Sequence, residues 1–494
     1  MKNSILIIGA GAAGSVVAKK CAMNREVFGR IHLASRTLDK CVRVQEECVS
    51  PITVSQVDAD DAAQVIRLLE EARPDVVVNM ALPYQDLPIM DACLAPGGNY
   101  LDTANAYGPS QMNYGEAFRR LHLTPSDTNY DRALRQRLFV ATKTVRRFAH
   151  DPAGQGPTAI DDLKRSLTQI FGDGKGFIPE GAYLDSIQIH NLTAMEQLDQ
   201  AYEGYGWRGS KPPERIGALA GLLDYRDGTN YTGLNPERKH YVRHIGITGH
   251  LSSPVLMSAI RRDSENVLDT VLVALNANDR LCSSHQNNVL PLAIARGLGV
   301  IAMKIFADGA YFGKQPRFSR TPDDVILSVG KPEATSCSDL VRYPLSLAGV
   351  SCAIIGTGMI NRDKPEADQM MANLTAALSD MPSGIERLRI EKDSEARHGA
   401  ATNYFQEKAN TLVQPAKVNV KRDGDRAIVE WTTAMAGRDP IRSYEVRAAN
   451  KPLLSLPFRP QMYETPLSVS LPASVIGDGE VSVVASIDPP RTRS

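Results

Sequence analysis

The stretch ILIIGAGAAGSVVAKK, residues 5–20, decides the fold of the amino-terminal part of the chain. Four apolar residues typical of a buried strand lead directly into Gly9, Gly11 and Gly14, and then into a helix-prone run. At this spacing Gly9 allows a tight turn, Gly11 lets a phosphate approach the backbone, and Gly14 lets the helix pack closely on the strand. The sequence therefore predicts a strand–turn–helix unit that binds the pyrophosphate of a dinucleotide.

The residues that follow the second predicted strand, 31–34, indicate which dinucleotide is bound. Where an NAD-binding Rossmann-like domain offers a carboxylate to the ribose 2′-hydroxyl, this chain has Arg36. A guanidinium suits a 2′-phosphate, so the sequence favours NADP over NAD. The alternative is that Arg36 is an ordinary solvated loop cation.

Secondary-structure patterning divides the chain into three parts. Short β-branched runs alternate with helical stretches over residues 1–99, and the alternation continues with longer connections to about residue 410. After Pro415 the pattern changes to short strands separated by Pro and Gly turns. We predict an α/β protein with a Rossmann-like NADP-binding domain over 1–99, a second α/β domain over 100–410 and an all-β module over 415–494. The strand candidates of the second domain are 100–102, 138–142, 184–190, 244–248, 270–275, 300–304 and 353–356.

Composition and charge exclude several classes of partner. Lys plus Arg and Asp plus Glu are equal at 56 each, so no net charge attracts nucleic acid or an anionic membrane. No segment reaches the roughly 20 consecutive apolar residues of a membrane-spanning helix. The seven cysteines form no CxxC pair and suit a reducing compartment. We expect a soluble cytoplasmic protein that binds a small molecule and no metal, and we leave its oligomeric state open.

The amino-terminal part resembles a known domain in four blocks. These are GAGAAGSVVAKKCA (9–22), IHLASRT (31–37), VDAD (57–60) and NMALPYQDLPIMDACL (79–94). They resemble the NADP-binding domain of the saccharopine dehydrogenase superfamily, and within it the carboxynorspermidine dehydrogenases. The resemblance covers about residues 3–105 and then stops, because the substrate and dimerisation domain of that family does not follow.

The second domain resembles a different family. The blocks LDTANAYG (101–108), LFVATKT (138–144), LDSIQIHNL (184–192) and VRHIGITGH (242–250) are similar to those of aldo-keto reductases, which are (β/α)8 TIM-type barrels. The likeness extends through GVIAMK (299–304) and CAIIGTG (352–358) to about residue 380. It places the catalytic Asp, Tyr, Lys and His of that family on Asp102, Tyr107, Lys143 and His190.

These four residue types suit the reduction of a carbonyl group. Hydride transfer from a nicotinamide puts negative charge on the carbonyl oxygen, which then needs a proton and hydrogen bonds. Tyr107 is the expected general acid, and a lysine cation beside it is expected to lower the pKa of the phenol. Asp102 would hold that lysine, Lys143, and His190 would orient the carbonyl. Taken singly, each residue also has an ordinary structural explanation, such as a helix cap, packing or a strand-end cation.

The same resemblance implies contacts to an extended NADP molecule across the barrel mouth. It places Thr248 near the carboxamide, and Asn373 near adenine. It places Gly356, Thr357 and Gly358 near the phosphates. Two features depart from the family pattern: Thr248 and Gly249 replace a common Ser-Asn pair, and the loop between Gly358 and Asn373 is longer than usual.

The two resemblances compete for one strand. Residues 76–80 could serve as the first barrel strand or as the fourth strand of the Rossmann-like sheet, but one strand cannot serve both. We expect the barrel to take it and to be largely complete, because closure removes sheet edges. Two polar insertions, 200–215 and 225–239, are interpreted as loops on one rim of this domain, either ordinary surface loops or parts of a substrate pocket.

The carboxy-terminal module resembles a fibronectin type III β-sandwich. The blocks AIVEWTT (427–433), IRSYEVRAA (441–449), LSVSLP (467–472) and EVSVVASID (480–488) carry this likeness, with Trp431 and Tyr444 at core positions. Because sandwiches host many functions, we assign this module no chemistry.

Three functional hypotheses follow from the sequence. The first is the NADPH-dependent reduction of an aldehyde or ketone at the barrel, with Tyr107 as general acid. The second is a saccharopine- or carboxynorspermidine-dehydrogenase-like reaction that uses the amino-terminal domain. The third is a non-catalytic NADP-binding scaffold.

Overall fold

A computed structural model describes residues 3–25, 28–59, 62–72, 74, 76–79, 99–207, 209, 211, 213–314, 335–356 and 369–490. The chain divides into two compact units. The first comprises Met1–Asn99 and Arg132–Phe139, and the second comprises Tyr100–Asp131 and Val140–Ser494. Within the described parts, no helix is both long and apolar enough to cross a bilayer.

The first unit contains a parallel sheet covered by helices, as the sequence predicts. The strand order is β3-β2-β1-β4. The strands are β1 (Asn3–Ile8), β2 (Phe28–Ser35), β3 (Thr53–Gln56) and β4 (Val76–Asn79), and the helices are Ala12–Met23, Leu38–Glu46 and Ala62–Ala72. Alternate residues of β1 pack into two separate apolar clusters, one containing Ile5 and Ile7 and the other containing Leu6 and Ile8. Both faces of the sheet are therefore covered, which is the arrangement of a Rossmann-like domain.

The expectation that the barrel takes residues 76–80 is wrong. β4 pairs with β1 in parallel, with Ile5 opposite Val76 and Ile8 opposite Asn79. Met80 lies outside the described residues. Without β4, the deeply buried β1 would become an edge strand with unpaired backbone groups, which are costly away from water. The deep burial of β1 thus explains why β4 stays in the first sheet.

The second unit is built on a seven-stranded sheet in the order β13-β12-β11-β10-β8-β6-β5. The pairs from β6 to β13 are parallel. The strands of this sheet are β5 (Asn99–Asp102), β6 (Leu138–Thr144), β8 (Leu184–Ile189), β10 (Val242–Gly249), β11 (Thr270–Ala274), β12 (Gly299–Met303) and β13 (Val350–Ala353). Six of them overlap the predicted segments closely, whereas β13 begins three residues earlier than predicted, at Val350 rather than Ala353.

The sheet curls until it is nearly closed. Tyr100 on β5 and Cys352 on β13 pack against the same buried cluster of Leu272, Ile301 and Met303. The two ends of the strand order therefore meet inside one core. Among the described residues no hydrogen-bonded strand fills the interval between β5 and β13, so the described strands form a nearly closed TIM-type barrel.

Helices surround this barrel and connect its strands. They are Ser110–Arg120, Ala159–Phe171, Met195–Ala201, Ala218–Asp227, Ser253–Arg262, His285–Ala295, Cys337–Leu345, Gln369–Ala377 and Gly384–His398. A further short helix, Arg132–Gln136, belongs to the first unit. Short 3₁₀ turns occupy Asp279–Leu281, Ala307–Phe312 and Gly399–Asn403. A small antiparallel pair joins β7 (Phe148–His150) to β9 (Ile216–Gly217). In such a barrel the carboxyl ends of the strands converge on one face, which is where active sites form.

The carboxy-terminal module is a β-sandwich of two antiparallel three-stranded sheets, β14-β15-β18 and β17-β16-β19. The strands are β14 (Asn419–Asp423), β15 (Arg426–Trp431), β16 (Ser443–Ala448), β17 (Lys451–Pro457), β18 (Leu467–Pro472) and β19 (Val481–Ser486), with a short helix at Ala473–Ile476. Trp431 and Tyr444 are fully buried in its core with ring centroids 5.6 Å apart. Their predicted core positions are confirmed.

Polar contacts dock the sandwich on the barrel, and those of Asn288 are buried. The amide of Asn288 donates to the Ala436 carbonyl at 3.0 Å and accepts from the Ala436 N–H at 2.8 Å. The guanidinium of Arg438 forms a two-point ion pair with Glu395. These contacts fix the sandwich relative to the barrel helices that carry Asn288 and Glu395.

Candidate active site

The deepest part of the site is an ion pair between neighbouring strands. Asp102 ends β5, and Lys143 lies on β6. The Lys143 ammonium donates to Asp102 Oδ2 at 2.5 Å and to the Thr103 carbonyl at 2.9 Å, and only 1% of its side chain is exposed. Burial raises the pKa of Asp102 and lowers the pKa of Lys143, and in each case the charge of the partner acts in the opposite direction.

Tyr107 lies above this pair on the turn that follows β5. Its N–H donates to the Ala104 carbonyl at 3.1 Å, and the Lys143 ammonium lies 5.0 Å from the centroid of its ring. Tyr107 is 40% exposed, so the phenol can meet a ligand. The positions of Tyr107 and Lys143 thus bring the expected general acid and the expected cation together.

The expectation that Lys143 lowers the pKa of Tyr107 is wrong for the protein without ligand. Burial raises the pKa of Tyr107, and the charges of Asp102 and Asp308 raise it further. The reason is geometric: the Lys143 ammonium faces the ring and is already neutralised by Asp102. Tyr107 is therefore fully protonated at neutral pH, which is the state that a proton donor requires.

His190 completes the predicted set directly after β8. Its ring centroid is 6.0 Å from that of Tyr107 at an interplanar angle of 86°. Its Nε2 is buried and has no hydrogen-bond partner among the residues that the structure describes. Burial, followed by the charges of Lys143, Arg147 and Lys304, lowers the pKa of His190 to about 4. The imidazole is thus neutral and has a nitrogen available for a ligand.

All four predicted catalytic residues gather at the carboxyl ends of β5, β6 and β8. Asp102 and Tyr107 line a cleft of about 560 Å³. Its walls also include Met303, Phe306, Ile354, Met370 and Leu374. A cleft of this size with apolar walls and a few convergent polar groups is typical of a small-molecule site.

A second polar cluster lies on the same cleft and was not found from the sequence. The Lys304 ammonium donates to both carboxylate oxygens of Asp308 at 2.7 Å, and the Tyr404 hydroxyl also donates to Asp308. Burial raises the pKa of Asp308, but the charge and hydrogen bond of Lys304 outweigh it, so that the pKa is lowered. The only sequence signal was the position of Lys304 at the end of a predicted strand.

The resemblance also named cofactor contacts at the barrel mouth. Thr248, near the end of β10, is fully buried, and its hydroxyl has no hydrogen-bond partner in the described parts of the chain. Gly356 lines the cleft, and a Cβ added there would meet no atom within 4 Å. Asn373 lines the cleft too, although its Oδ1 accepts from Gln369 at 2.8 Å. Thr357 and Gly358 lie outside the described residues.

In the first unit, the glycine motif has the predicted local structure. Gly9 has φ of 109° and donates its N–H to the Ala34 carbonyl at 2.7 Å. Gly11 is the N-cap residue of the helix Ala12–Met23, which contains Gly14, and it makes no side-chain capping hydrogen bond. A Cβ added at Gly11 would meet no atom within 4 Å. The N–H groups of this first turn can therefore bind a phosphate. Arg36 is exposed directly after the adjacent strand β2.

The two polar insertions line a pocket of their own. Gly204, Trp207 and Tyr231 from these loops surround it together with Asp224. None of the residues that line this pocket also lines the cleft of Tyr107. The described residues of these loops therefore do not line the candidate active site.

Matches to known families agree with this architecture. Residues 5–145 match the saccharopine dehydrogenase NADP binding domain, and residues 82–326 match the aldo/keto reductase family. The chain carries an aldo/keto reductase domain joined to a saccharopine dehydrogenase NADP-binding domain. The two matches overlap over residues 82–145, the region in which the two sequence resemblances meet.

Curated relatives match the amino-terminal domain. Carboxyaminopropylagmatine dehydrogenase of Synechocystis sp. is 47% identical over 111 residues, which are 22% of this chain and 28% of that protein. Carboxynorspermidine synthase of Vibrio cholerae is 39% identical over 110 residues, 20% of this chain and 27% of that protein. The chain thus spans little more than a quarter of the length of these relatives.

Among solved structures, the NADPH-dependent 3-quinuclidinone reductase of Rhodotorula rubra matches this chain at 15% identity and a TM-score of 0.15. The matched region covers 34% of this chain and 78% of the reductase chain. This likeness is too slight to support an inference about fold or function. In the described residues, no group of three or more His, Cys, Asp or Glu side chains is placed to hold a metal ion.

Proposed function

We propose that the barrel domain reduces an aldehyde or ketone to an alcohol with NADPH as reductant. The observation that carries this proposal is the convergence of four side chains: Asp102 and Tyr107 line one cleft, Lys143 pairs with Asp102, and the His190 ring lies 6.0 Å from that of Tyr107. Each residue alone has an ordinary structural role. Their convergence at the carboxyl ends of three neighbouring strands is what a carbonyl reductase requires.

NADPH, when bound, supplies the hydride that reaches the carbonyl carbon. The oxygen then becomes an alkoxide, which is more basic than a phenolate, so proton transfer from Tyr107 is favourable even though the pKa of Tyr107 is raised. The Lys143 ammonium, fixed by Asp102, lies 5.0 Å from the centroid of the Tyr107 ring and holds that ring in place. The neutral His190 donates a hydrogen bond from Nε2 to the carbonyl oxygen and orients it.

The barrel mouth has groups that suit the cofactor. The unpartnered hydroxyl of Thr248 can bind a carboxamide, and the open space at Gly356 can admit a phosphate. Thr357, Gly358 and Asn373 are proposed as further contacts on the strength of the family resemblance. We assign Gly9, Gly11, Gly14 and Arg36 to a separate NADP site in the amino-terminal domain.

A second candidate function places catalysis in the amino-terminal domain. The 47% identity to carboxyaminopropylagmatine dehydrogenase over that domain favours it. In this alternative the chain would act as a dehydrogenase of the saccharopine or carboxynorspermidine type. A third alternative is that the chain only binds NADP and serves as a scaffold.

Isotope transfer tests the first proposal. NADPH carrying deuterium at the transferable position of C4 would be incubated with the full chain and propanal. The expected result is propanol with one deuterium on the carbinol carbon. NADPH oxidation without label in the alcohol, or no oxidation at all, would contradict the proposal.

A further inference from the structure

Arg147 is a cation near the candidate active site that the proposed mechanism does not use. It follows Thr144, the last residue of β6, by three positions, and it is half-buried. Burial lowers the pKa of Arg147, and among the described residues no carboxylate forms an ion pair with its guanidinium. A cation withdrawn from water without an opposite charge is unfavourable unless its N–H groups find good acceptors. The acceptors of Arg147 therefore indicate what this group does in the protein.

The guanidinium of Arg147 spans two consecutive carbonyl groups directly after β8. Its Nη1 donates to the His190 carbonyl at 2.6 Å, and its Nη2 donates to the Asn191 carbonyl at 3.1 Å. Nη1 also donates to the Val145 carbonyl at 3.2 Å, on the segment that leaves β6. One planar, charged group thus joins the ends of two neighbouring barrel strands. Hydrogen bonds from a charged donor are stronger than those between neutral groups, so this junction is well fixed.

The main chain of His190 is held on both sides of its Cα. The His190 N–H donates to the Thr144 carbonyl at 2.8 Å, and the His190 carbonyl accepts from Arg147. The direction of the Cα–Cβ bond that carries the imidazole follows from the positions of these two main-chain groups. Arg147 therefore helps to set the direction of the His190 side chain without contacting the ring.

The imidazole of His190 has little other polar support. Its Nε2 makes no hydrogen bond to any residue that the structure describes. Its ring lies near those of Tyr107 and His250, with centroids 6.0 and 6.1 Å away. Ring contacts of this kind are weaker and less directional than hydrogen bonds from a charged donor. The direction of the imidazole thus depends on its main chain, which Arg147 holds.

We infer that Arg147 is a positioning residue that holds the main chain of His190, so that Nε2 of the imidazole meets the carbonyl oxygen of the substrate. This inference rests on the proposed carbonyl reduction. The guanidinium touches neither the substrate nor the reacting atoms, and it acts through His190. Its charge acts in the same sense: after burial and the charge of Lys143, the charge of Arg147 contributes to the lowered pKa of His190 and so helps to keep the imidazole neutral.

A cycle of single and double variants tests whether Arg147 acts through His190. Arg147→Met would be made in the unaltered chain and in His190→Phe, and kcat would be measured as deuterium transferred from labelled NADPH to propanol, so that slow variants can be quantified. We expect Arg147→Met to lower kcat by about 10- to 100-fold in the unaltered chain, because a misplacement of about 1 Å can cost about 100-fold. In His190→Phe the same change should lower kcat by less than about 3-fold, since no imidazole remains to be misplaced.

The neighbouring arginine provides a matched control. Arg146→Met removes the same charge one residue away, but the Nε of Arg146 lies 4.0 Å from Asp162 Oδ2 and not on the His190 carbonyl. This variant should keep most of the turnover. Arg147→Lys, which keeps a cation and a donor for the His190 carbonyl, should recover part of the turnover that Arg147→Met loses.

Equal losses of kcat from Arg147→Met in the two backgrounds would overturn the inference, because Arg147 would then act on the fold in general. Turnover of Arg147→Met equal to that of Arg146→Met would overturn it as well. If urea unfolding shows that Arg147→Met does not fold, the same cycle with Arg147→Lys decides, with the same contrast expected at a smaller size. An unaltered chain that forms no labelled propanol would refute the proposed function itself, whereas an active chain with an ineffective Arg147→Met refutes this inference alone.

Discussion

The ammonium of Lys143 lies 2.5 Å from Asp102 Oδ2, with the lysine side chain 1% exposed and the aspartate side chain 12% exposed. The pair bridges two adjacent barrel strands below the ring of Tyr107. At this depth each charge depends on the other, because an unpaired buried charge is strongly unfavourable. The pair is therefore both a structural link and the support of the proton donor.

Replacing Lys143 alone should be costly. Lys143→Met leaves the carboxylate of Asp102 buried without its partner, and we expect a loss of about 3–5 kcal/mol in the free energy of unfolding. The double variant Asp102→Asn/Lys143→Met removes both charges and should recover most of that stability without recovering turnover. Urea unfolding measures the first effect and NADPH oxidation the second. A double variant as unstable as the single one would contradict this account.

Lys304→Met provides a matched control for that experiment. Lys304 also pairs with an aspartate on the cleft, but the side chain of its partner Asp308 is 30% exposed. Because water can solvate the remaining carboxylate, we expect a smaller loss of stability than in Lys143→Met.

Acid should destabilise the barrel through its neutral histidines. The folded-state pKa values of His190 and His250 are lowered to about 4 and about 3, below the value of about 6.5 for an unfolded chain. Their contribution to stability is fully present above about pH 6.5 and is lost as the pH falls towards the folded-state values. The stability difference between pH 7 and pH 5 should therefore be smaller in His250→Phe than in the unaltered chain. Equal differences, measured by urea unfolding, would argue against a neutral His250.

The pH profile of reduction should be flat around neutrality. The pKa of Tyr107 is raised above its ordinary value near 10, and that of His190 is lowered to about 4. We therefore expect kcat/KM for propanal to be constant from about pH 5 to about pH 9, since neither group changes its protonation there. Steady-state rates across this range test the prediction. A decline with a midpoint near neutral pH would show that another group controls proton transfer.

The docking of the sandwich can be weakened at one buried side chain. Asn288→Ala leaves the N–H and carbonyl of Ala436 without the partners that the amide provides at 2.8 and 3.0 Å. We expect a loss of about 1–3 kcal/mol in the free energy of unfolding. The fluorescence of Trp431, buried in the sandwich core, reports the transition. Asn419→Ala on the exposed strand β14 is the control, and equal effects of the two changes would contradict a specific docking contact.

The sequence was informative where residues near strand ends carry the chemistry. Asp102, Lys143 and His190 each lie at or near the end of a strand with a clear apolar pattern, so that one fold hypothesis places all three on one face. The family resemblance named these three residues as catalytic, and it also named Tyr107, which lies on a turn. The sandwich core was predictable because Trp431 and Tyr444 are large residues within alternating strands.

Other features depend on contacts that no local pattern shows. Asp308 and Tyr404 meet although 96 positions separate them, and His250 acquires its neighbours only when the barrel closes around it. The raised pKa of Tyr107 depends on its burial and on the charges of Asp102 and Asp308, which spacing alone does not give. The choice between two sheets for β4 was settled by the deep burial of β1, and strand composition alone did not reveal it.

The direct test of the central claim is NADPH oxidation with propanal by the unaltered chain, Tyr107→Phe and Gly11→Asp, with Tyr231→Phe as a control for loss of an exposed phenol outside the cleft. Tyr107→Phe should lower kcat by about 100- to 10,000-fold, because general acid catalysis typically contributes that much. Gly11→Asp, which places a carboxylate at the amino-terminal phosphate site, should retain turnover. Loss of activity in Gly11→Asp with full activity in Tyr107→Phe would contradict the account and place catalysis in the amino-terminal domain.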